Sequence, residues 1–450
     1  MNKVSGREVK MPTMNRLPAK WSIALCCLLA SLFLRTAACG EFTGLDYCDI
    51  SKPGFFPVLP WDPYHGWAVP HVERGPNDGL ESIVDCNFNL AGFVTPKDLR
   101  LCRKLGLGAI MLPADPAFTN LQYLCDWKKL SDAEIDRRVK SDVAAAGSSR
   151  AIVGFFIMDE PGAVDFPALA KAVAAVKKYA PGKFAYINLF PDYATLGAPD
   201  TSQLGTASYT EYLERFVNEV HPQFISYDNY MVEYSNDLKD RNKAASYYHN
   251  LLEVRRVAQE HHLPYLNIVS GNQITPDTTI PSPANLSFQA YTTLAAGYRG
   301  VTWYTYYSQG YKYAPVDLTG MKTQTWPWLK EINRQIMTLA PIMSRLESTG
   351  VFFTAPSPAD NLPLLPGKLV ESATSAAPLM IGEFRGANEQ RYVMVVNLSL
   401  ETSAKFNLKT VRSGDLLKIV SPIDRSLLPF DAKAGCWLAA GQGVLLMLAE

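Results

Sequence analysis

Carboxylate side chains follow several apolar runs of this sequence, and they are the groups best suited to proton transfer. Asp159 and Glu160 come directly after the apolar run Ile152–Met158. A carboxyl group beside buried apolar side chains is poorly solvated. This raises its pKa and lets it donate a proton near neutral pH. Pro161 fixes the direction of the chain as it leaves the run. Glu160 is therefore our candidate general acid; the alternative is a turn whose acid caps the next helix.

The polar side chains that end the other apolar runs are amides, phenols, indoles and carboxylates, with few Lys, Arg or His. Phosphate or carboxylate substrates would call for Arg or Lys at these positions. Sugars instead need paired donors and acceptors for their hydroxyls and flat aromatic faces for their rings. We therefore expect a neutral carbohydrate substrate and no cofactor. The residues expected to bind it are Asp62, Asn89, Asp159, Tyr186, Asn188, Tyr227, Glu233, Asn267, Trp303 and Tyr307.

Cleavage of a glycosidic bond usually needs a second carboxylate, ~5–5.5 Å from the acid for retention or ~6.5–9.5 Å for inversion. The run Phe224–Tyr230 is the natural source. Side chains alternate along a strand, and Ser226 is the small polar residue expected inside, so Asp228 points inward as well. Asp228 is our first choice as nucleophile or base. The alternatives are Glu233, Asp159, Asp62 and Asp115.

Eight short apolar runs alternate with helix-like segments between residues 50 and 346. The runs are Phe55–Trp61, Cys86–Phe93, Leu107–Pro113, Ile152–Met158, Phe184–Phe190, Phe224–Tyr230, Tyr265–Ser270 and Val301–Tyr307. This alternation predicts a (β/α)8 TIM barrel, an α/β fold whose active site collects at the carboxyl ends of the strands. An open doubly wound sheet is the alternative, but no glycine-rich phosphate loop follows the first run.

The helix-like segments show the apolar periodicity of amphipathic helices. They are Ser131–Ala145, which opens with a capping box, and Phe166–Tyr179, Tyr209–Val220, Ala244–Gln259, Ser287–Gly297 and Trp328–Thr338. After residue 350 the pattern changes to short strands separated by turn residues. It predicts a small antiparallel β-sandwich over residues 350–450. We interpret that sandwich as a packing module rather than a binding module, because its charges form no catalytic group.

The charge balance and the cysteine and histidine patterns exclude several classes of partner. Lys plus Arg and Asp plus Glu both number 43, so the formal charge is zero and favours neither nucleic acid nor an anionic membrane. The cysteines beyond residue 39 contain no CxxC pair, and the histidines are scattered. We therefore expect no metal site, while one or two disulfides are compatible with an exported protein.

Residues 1–39 have the pattern of a targeting segment. Basic residues precede the apolar run Trp21–Leu34, and small residues follow it. The run is too short for a membrane span but has the length of a signal-peptide core. We therefore expect export to the periplasm, the outer membrane or the medium, with no membrane span after removal of the signal. The segment Ala37-Ala38-Cys39 is also similar to the end of a lipoprotein signal, which would place a lipid anchor at Cys39.

The segment Asp159-Glu160-Pro161 resembles the motif that ends strand 4 in the TIM-barrel glycoside hydrolases of clan A. The resemblance implies a glycosidase and gives Glu160 the role of acid and base. That family carries its nucleophile Glu at the end of strand 7, where this chain reads Tyr265–Gln273 without a carboxylate. The pairing of strands 4 and 6 is instead similar to the α-galactosidases, or to barrels that use substrate-assisted catalysis. Retention and inversion therefore both stay open.

Two functions compete on these grounds. The first is hydrolysis of O-glycosidic bonds, with Glu160 as the acid and a second carboxylate as nucleophile or base. The second is a non-catalytic glycan-binding barrel, which the missing strand 7 carboxylate favours. A polysaccharide lyase or deacetylase ranks below both, because the run ends lack the metal ligands or basic residues that these enzymes usually need.

Overall fold

A computed structural model describes residues 49–50, 52–61, 79–113, 126–235 and 238–449. Each of the eight predicted apolar runs overlaps one parallel strand. These strands are β1 (Val58–Pro60), β2 (Leu90–Val94), β3 (Gly108–Met111), β4 (Ile152–Asp159), β5 (Phe184–Asn188), β6 (Ile225–Asp228), β7 (Tyr265–Ser270) and β8 (Val301–Tyr304). The α-helices are α1 (Leu80–Asp85), α2 (Leu99–Leu105), α3 (Asp132–Ala146), α4 (Phe166–Tyr179), α5 (Tyr209–Arg215), α6 (Met231–Tyr234), α7 (Arg241–Glu260), α8 (Pro283–Ala295) and α9 (Thr325–Met343).

Local sequence signals set the ends of several helices. The predicted capping box opens α3: the Ser131 hydroxyl accepts from the Glu134 N–H, and Glu134 accepts from the Ser131 N–H at 2.8 Å. Ser282 caps α8 in the same way, by accepting from the Asn285 N–H at 3.1 Å. Helix α5 continues as a π-helical turn over Phe216–Val220, so the predicted helix Tyr209–Val220 changes its hydrogen-bond pattern before it ends.

The eight parallel strands form two ladders, β1-β8-β7-β6 and β2-β3-β4-β5. The ladders meet at two seams. At one seam the Asn89 N–H donates to the Val58 carbonyl at 3.2 Å, and at the other the Leu189 N–H donates to the Ser226 carbonyl at 2.8 Å. The strand order is that of a (β/α)8 barrel. Among the described residues, however, no continuous ladder runs around the whole ring.

One apolar cluster fills the space enclosed by these strands. It contains Phe224, which directly precedes β6, and side chains from the other seven strands, including Leu59, Phe93, Ile110, Phe156, Tyr186, Leu266, Ile268 and the partly buried Tyr304. A second, larger cluster lies between the strands and the surrounding helices. Inward and outward side chains therefore alternate, and this alternation decides which residues can reach the site at the strand ends.

The C-terminal strands form two antiparallel sheets. These strands are β9 (Glu347–Phe353), β10 (Val370–Ser375), β11 (Leu379–Arg385), β12 (Arg391–Asn397), β13 (Ala404–Thr410), β14 (Leu416–Val420), β15 (Leu427–Pro429), β16 (Cys436–Leu438) and β17 (Gly443–Ala449). One sheet has the order β15-β14-β17-β12-β11-β9 and the other β10-β13-β16. Val370, Ile381, Val395 and Phe406 belong to an apolar cluster that both sheets share, as expected of a sandwich. The sequence pattern predicts six of these strands, at Val351–Thr354, Met380–Phe384, Arg391–Val396, Ala404–Leu408, Leu416–Val420 and Gly443–Leu448. It does not predict β10, β15 or β16.

Helix α8 packs directly on the six-stranded sheet, and two glycines make this approach close. A Cβ atom on Gly382 would lie 2.0 Å from the Ala295 carbonyl oxygen, and one on Gly443 would lie 2.4 Å from the Tyr291 ring. Any larger residue at either position would push the helix away. The boundary at residues 346–350 stays a prediction, but α9 does end at Met343 and β9 begins at Glu347.

Several predictions concern residues that the structure does not describe. The signal peptide, the lipid anchor at Cys39, Asp62 and Asp115 all lie outside the described ranges. Within those ranges no helix is long and apolar enough to span a bilayer. Cys86, Cys102 and Cys436 are free thiols, so no predicted disulfide involves them.

Candidate active site

Strand β4 brings two consecutive carboxylates to its carboxyl end. Glu160 has a φ angle of 46°, in the left-handed region that residues other than glycine rarely adopt. Its N–H donates to the Asn188 carbonyl at 2.9 Å, which fixes this turn against β5. Side chains of consecutive strand residues normally point to opposite faces. The turn instead leaves the Asp159 and Glu160 carboxyls close enough to affect each other's charge.

Asn188, at the end of β5, connects the carboxylates of β4 and β6. Its amide nitrogen donates to Asp159 Oδ1 at 3.0 Å and to Asp228 Oδ1 at 2.8 Å. Its amide oxygen accepts from the Ser226 hydroxyl at 3.0 Å. Both amide hydrogens and the amide oxygen of Asn188 therefore have hydrogen-bond partners. Asn188 was expected to bind substrate, but its amide is occupied in holding the two carboxylates.

The Asp159 carboxyl is shielded from water, and it accepts hydrogen bonds from neighbouring side chains. Burial raises the pKa of Asp159 to about 6, and hydrogen bonds from the Asn188 amide and the Trp61 indole oppose that shift. Trp61 itself is buried against the Phe93 and Tyr186 rings at centroid distances of 4.7 and 4.9 Å. The inner core therefore fixes the orientation of the indole that Asp159 accepts from.

Glu160 and Asp228 form a hydrogen-bonded pair of carboxyl groups. Burial and the charge of Asp159 raise the pKa of Glu160 to about 7, while the hydrogen bond with Asp228 opposes that rise. Burial and the charges of Glu160 and Asp159 raise the pKa of Asp228 well above its ordinary value. Two carboxylates in contact cannot both ionise near neutral pH, so the pair shares a proton.

The separation of these two carboxyls decides how they could act on a sugar. Retaining glycosidases hold the two carboxyl groups ~5–5.5 Å apart, and inverting enzymes hold them ~6.5–9.5 Å apart so that a water fits between them. The hydrogen bond between Glu160 and Asp228 joins the two groups directly. It must therefore open before a water can lie between them.

Tyrosine side chains surround the carboxylates on the solvent side. Burial raises the pKa of both Tyr193 and Tyr230, and the charge of Asp228 adds to the shift in each. The Tyr230 ring stacks on Tyr304 with centroids 5.4 Å apart, and the Tyr304 hydroxyl lies 2.9 Å from that of Tyr311. The Tyr193 side chain is 40% exposed. It offers a ring face to solvent beside the acids, which suits contact with a sugar ring.

Tyr186 and Ser226 form the floor beneath the carboxylates. The two hydroxyls lie 3.1 Å apart, and Tyr186 is fully buried in the inner core. Ser226 in turn donates to Asn188. Phe224, Ser226 and Asp228 thus share the inward face, in agreement with the alternation predicted for strand 6. Tyr186 was expected to bind substrate, but with no exposed surface it supports the site from below.

Four residues expected to bind substrate face the helices instead. Tyr227 is within 3.3 Å of the Tyr298 hydroxyl, and Asn267 donates to Thr293 on α8 at 2.8 Å. The Trp303 indole donates to Asn333 on α9 at 2.9 Å. Tyr307 is buried against the Tyr306 ring, and its hydroxyl lies near the Gly79 carbonyl. The structure thus places these four side chains outside the ring of strands or within the core, away from the carboxylate cluster.

Asn89 and Glu233 have roles in the framework. The Asn89 side chain accepts from the Val58 N–H at 2.8 Å and donates to the Phe56 carbonyl at 3.0 Å, closing the seam between β1 and β2. Glu233 accepts from the Ile274 N–H at 3.1 Å and fixes the loop after β7. Burial raises the pKa of Glu233 to about 8. Neither residue has a contact with the carboxylate cluster among the described residues, so their contact with substrate stays a prediction.

The described cluster therefore consists of Asp159, Glu160, Asp228 and Asn188, with Trp61, Tyr193, Tyr230 and Tyr304 around it. These four aromatic residues were not among those predicted from the sequence to bind substrate. Tyr304 could have been predicted from its neighbour on β7. Leu266 and Ile268 point inward, so Ser270 does too, and Tyr304 is the residue of β8 that pairs with Ser270. Among described residues, no group of three or more His, Cys, Asp and Glu has the arrangement of a metal site.

Comparison with known proteins supports the fold. A glycoside hydrolase family 5 structure from Bacteroides vulgatus is 12% identical, with a TM-score of 0.53 over 88% of this chain and 89% of its own. A family 42 β-galactosidase, Gan42B from G. stearothermophilus, is 8% identical, with a TM-score of 0.57 over 82% of this chain and 95% of its own. At this identity the likeness establishes a common fold. No protein-family model and no curated protein sequence matches the chain.

Proposed function

We propose that this protein is a glycoside hydrolase that cleaves O-glycosidic bonds of a neutral oligo- or polysaccharide on a closed (β/α)8 barrel. The observation that supports the proposal most is the proton-sharing pair of Glu160 and Asp228 at the carboxyl ends of parallel strands. A carboxyl with a pKa of about 7 is about half protonated at pH 7 and can donate to a leaving oxygen.

Glu160 acts as the general acid in this proposal. It is less enclosed than Asp228, and it follows the strand 4 position of the TIM-barrel hydrolases. Asp228 acts as the second carboxylate, after an incoming sugar separates it from Glu160. As the pair parts, the shared proton passes from Asp228 to Glu160, and Asp228 keeps its hydrogen bond from Asn188, which stabilises its ionised form. It then serves as nucleophile, or as base for a water.

A neutral sugar suits the surroundings of this site. The groups that shift the pKa values of Asp159, Glu160 and Asp228 are carboxyls, an amide, an indole and a backbone N–H, without Lys or Arg. An anionic sugar ring would therefore meet only negative charge beside the acids. The half-exposed phenol ring of Tyr193 supplies the kind of face that neutral rings use. We also propose export, for which the apolar run Trp21–Leu34 is the support.

A screen of aryl glycosides and of plant and algal polysaccharides tests this proposal. Wild-type protein should release reducing sugar from at least one member, and Glu160→Gln should lose at least 1,000-fold in rate. Glu371→Gln is the matched control, because Glu371 is an exposed residue of β10 in an ion pair with Lys409. Normal turnover by Glu160→Gln would overturn the assignment.

Glycan binding without catalysis is the second candidate, and the contact between Glu160 and Asp228 favours it. If the two carboxyls never part, the cluster is a polar binding surface rather than a catalytic pair. Binding of an oligosaccharide with no hydrolysis over days, and no effect of Glu160→Gln on that binding, would support this second function.

A further inference from the structure

A cleft of about 1520 Å³ lies at the opposite end of the strands from the carboxylates. Its walls include Phe55, which precedes β1, and Pro264 and Tyr265 at the start of β7. The other wall comes from the C-terminal sheets, through residues such as Phe384 and Leu448. The cleft therefore separates the amino ends of the parallel strands from the sandwich. It is large enough for a ligand of several rings.

The charges that line this cleft are strongly unbalanced. The chain as a whole has equal numbers of basic and acidic residues, 43 of each. Among the described residues, the carboxylates of the lining are Glu347 and Glu389. The cations of the lining include Lys52, Arg299, Arg345, Lys368, Arg391 and Arg412. A concave surface with one sign of charge concentrates its field and attracts the opposite charge.

Part of this positive charge is neutralised by the protein. Arg385, also in the lining, pairs with Glu347 at 2.7 Å. Arg391 forms a bidentate ion pair with the buried carboxylate of Asp415, with nitrogen–oxygen distances of 2.7 and 2.9 Å. These two arginines therefore have counter-ions of their own, so the cations available to a ligand are Arg299, Lys52 and Lys368.

Arg299 is a half-buried guanidinium with neutral partners. It donates to the Met343 and Leu346 carbonyls, at 3.1 and 2.8 Å, at the C-terminal end of α9. No carboxylate of the described residues lies within ion-pair distance of it. Burial lowers the pKa of Arg299. A helix terminus supplies about half of a negative charge, so a large part of the guanidinium charge remains for a ligand.

Lys52 and Lys368 add two more cations without a described carboxylate partner. Lys368 stands on a loop that is held rigidly: the buried Glu383 carboxylate accepts from the N–H groups of Lys368, Leu369 and Val370, each at 2.9 Å. A loop fixed in this way presents its side chain at a constant place. The two lysines are exposed, so a ligand in the cleft can reach them without rearrangement of the fold.

We propose that this cleft binds the sulfate or carboxylate groups of an acidic glycan chain. The glycan part of this inference rests on the proposed function, whereas binding of anions does not. The carboxylate site at the other end of the strands takes a neutral ring. Because the cleft and the carboxylates lie at opposite ends of the strands, the cleft attaches the protein to an acidic glycan and takes no part in cleavage.

Titration calorimetry at low and moderate salt tests the inference. The probes are a heparin-derived hexasaccharide, a tetragalacturonate, neutral maltohexaose and inorganic sulfate. We expect saturable binding of at least one acidic oligosaccharide, weaker in 300 mM than in 50 mM salt because screening shortens the reach of charge. Maltohexaose should not bind in the cleft. Absence of binding by both acidic probes, or equal affinity for inorganic sulfate, would overturn the proposal.

A charge-reversal variant identifies the place of binding. Lys52→Glu with Lys368→Glu should weaken the acidic oligosaccharide at least tenfold. The matched control is Lys97→Glu with Lys104→Glu, since both lysines are exposed and lie outside the cleft; its affinity should stay within twofold. Hydrolysis of a small neutral glycoside should be unchanged in both variants, which separates this inference from the proposed function. Unchanged binding in the first variant would contradict the cleft as the site.

Discussion

The Asn188 amide nitrogen lies 2.8 Å from Asp228 Oδ1, and its second hydrogen points to Asp159 at 3.0 Å. The hydrogen bond between the two carboxyls raises the pKa of Asp228 and lowers that of Glu160. Before substrate binds, the shared proton therefore lies on Asp228, on the oxygen opposite Oδ1. The orientation of the amide is in turn fixed by the Ser226 hydroxyl, which donates to its oxygen. Asn188 is thus a positioning residue for two carboxylates at once.

Asn188→Ala should lower kcat by about 100-fold and change KM little, because misplacement of reacting groups by about 1 Å costs this much. Asn188→Asp should be worse, since it adds a third buried negative charge next to Asp159 and Asp228. Asn218→Ala, at an exposed helical position, controls for the loss of an amide. Steady-state kinetics with circular dichroism checks the result. A loss confined to KM would show that Asn188 binds substrate instead.

The pH profile of kcat/KM should have an alkaline limb near pH 7. Glu160, with a pKa of about 7, must hold its proton to act as the acid, so the rate should fall about tenfold per pH unit above that value. The acid limb should report the first ionisation of the Glu160–Asp228 pair. Rate measurements from pH 4 to 9 check this. A rate that stays level up to pH 9 would exclude Glu160 as the acid.

Glu160→Gln should stabilise the protein at alkaline pH. The pKa of Glu160 is raised from 4.5 to about 7, so between these values the folded state binds more protons than the unfolded state. Stability from this group is full below pH 4.5 and is lost as pH rises through 7. We expect the variant to exceed wild type by about 1–3 kcal/mol at pH 8. At pH 4.5 the two should be nearly equal.

Urea unfolding at pH 4.5 and at pH 8 measures this difference. Glu371→Gln, at the exposed β10 position, should follow wild type at both pH values. If Glu160→Gln were the less stable protein at pH 8, the Glu160 carboxylate would be stabilised by the fold rather than poorly solvated.

Tyr193→Ala should raise KM by about 3- to 10-fold, the value of an aromatic contact, and should affect kcat less. Tyr193→Phe keeps the ring face and should stay within about twofold of wild type. The comparison separates stacking from hydrogen bonding by the phenol. An equal loss in both variants would assign the effect to the hydroxyl, which accepts from the Tyr230 N–H at 3.3 Å.

Much of the fold follows from the sequence, because periodic apolar runs identify strands and helices without knowledge of their partners. Helix Phe166–Tyr179 has the predicted ends, and Asp228 shares the inward face of β6 with Ser226, as alternation predicts. Glu160 reaches the same site through its left-handed turn rather than through alternation. Alternation also holds on β8, but the face of Trp303, which was expected to bind substrate, is not the inward one. The Trp303 indole faces Asn333 on α9, and Tyr304 points inward.

The contact between Glu160 and Asp228 could not be predicted. It depends on the left-handed turn at Glu160 and on an amide supplied by another strand, and neither has a local sequence signal. The framework roles of Asn89 and Glu233 could not be predicted either. In a sequence, a polar residue whose buried side chain binds the backbone cannot be distinguished from one that binds sugar.

The dependence of Glu160→Gln on the leaving group tests the central claim most directly. A general acid matters most when the departing oxygen is a strong base, so the rates of two glycosides of the same sugar are compared: an alkyl glycoside and a dinitrophenyl glycoside. We predict that the variant loses at least 1,000-fold on the alkyl glycoside and less than 10-fold on the dinitrophenyl glycoside. Equal losses on both substrates would contradict proton donation by Glu160.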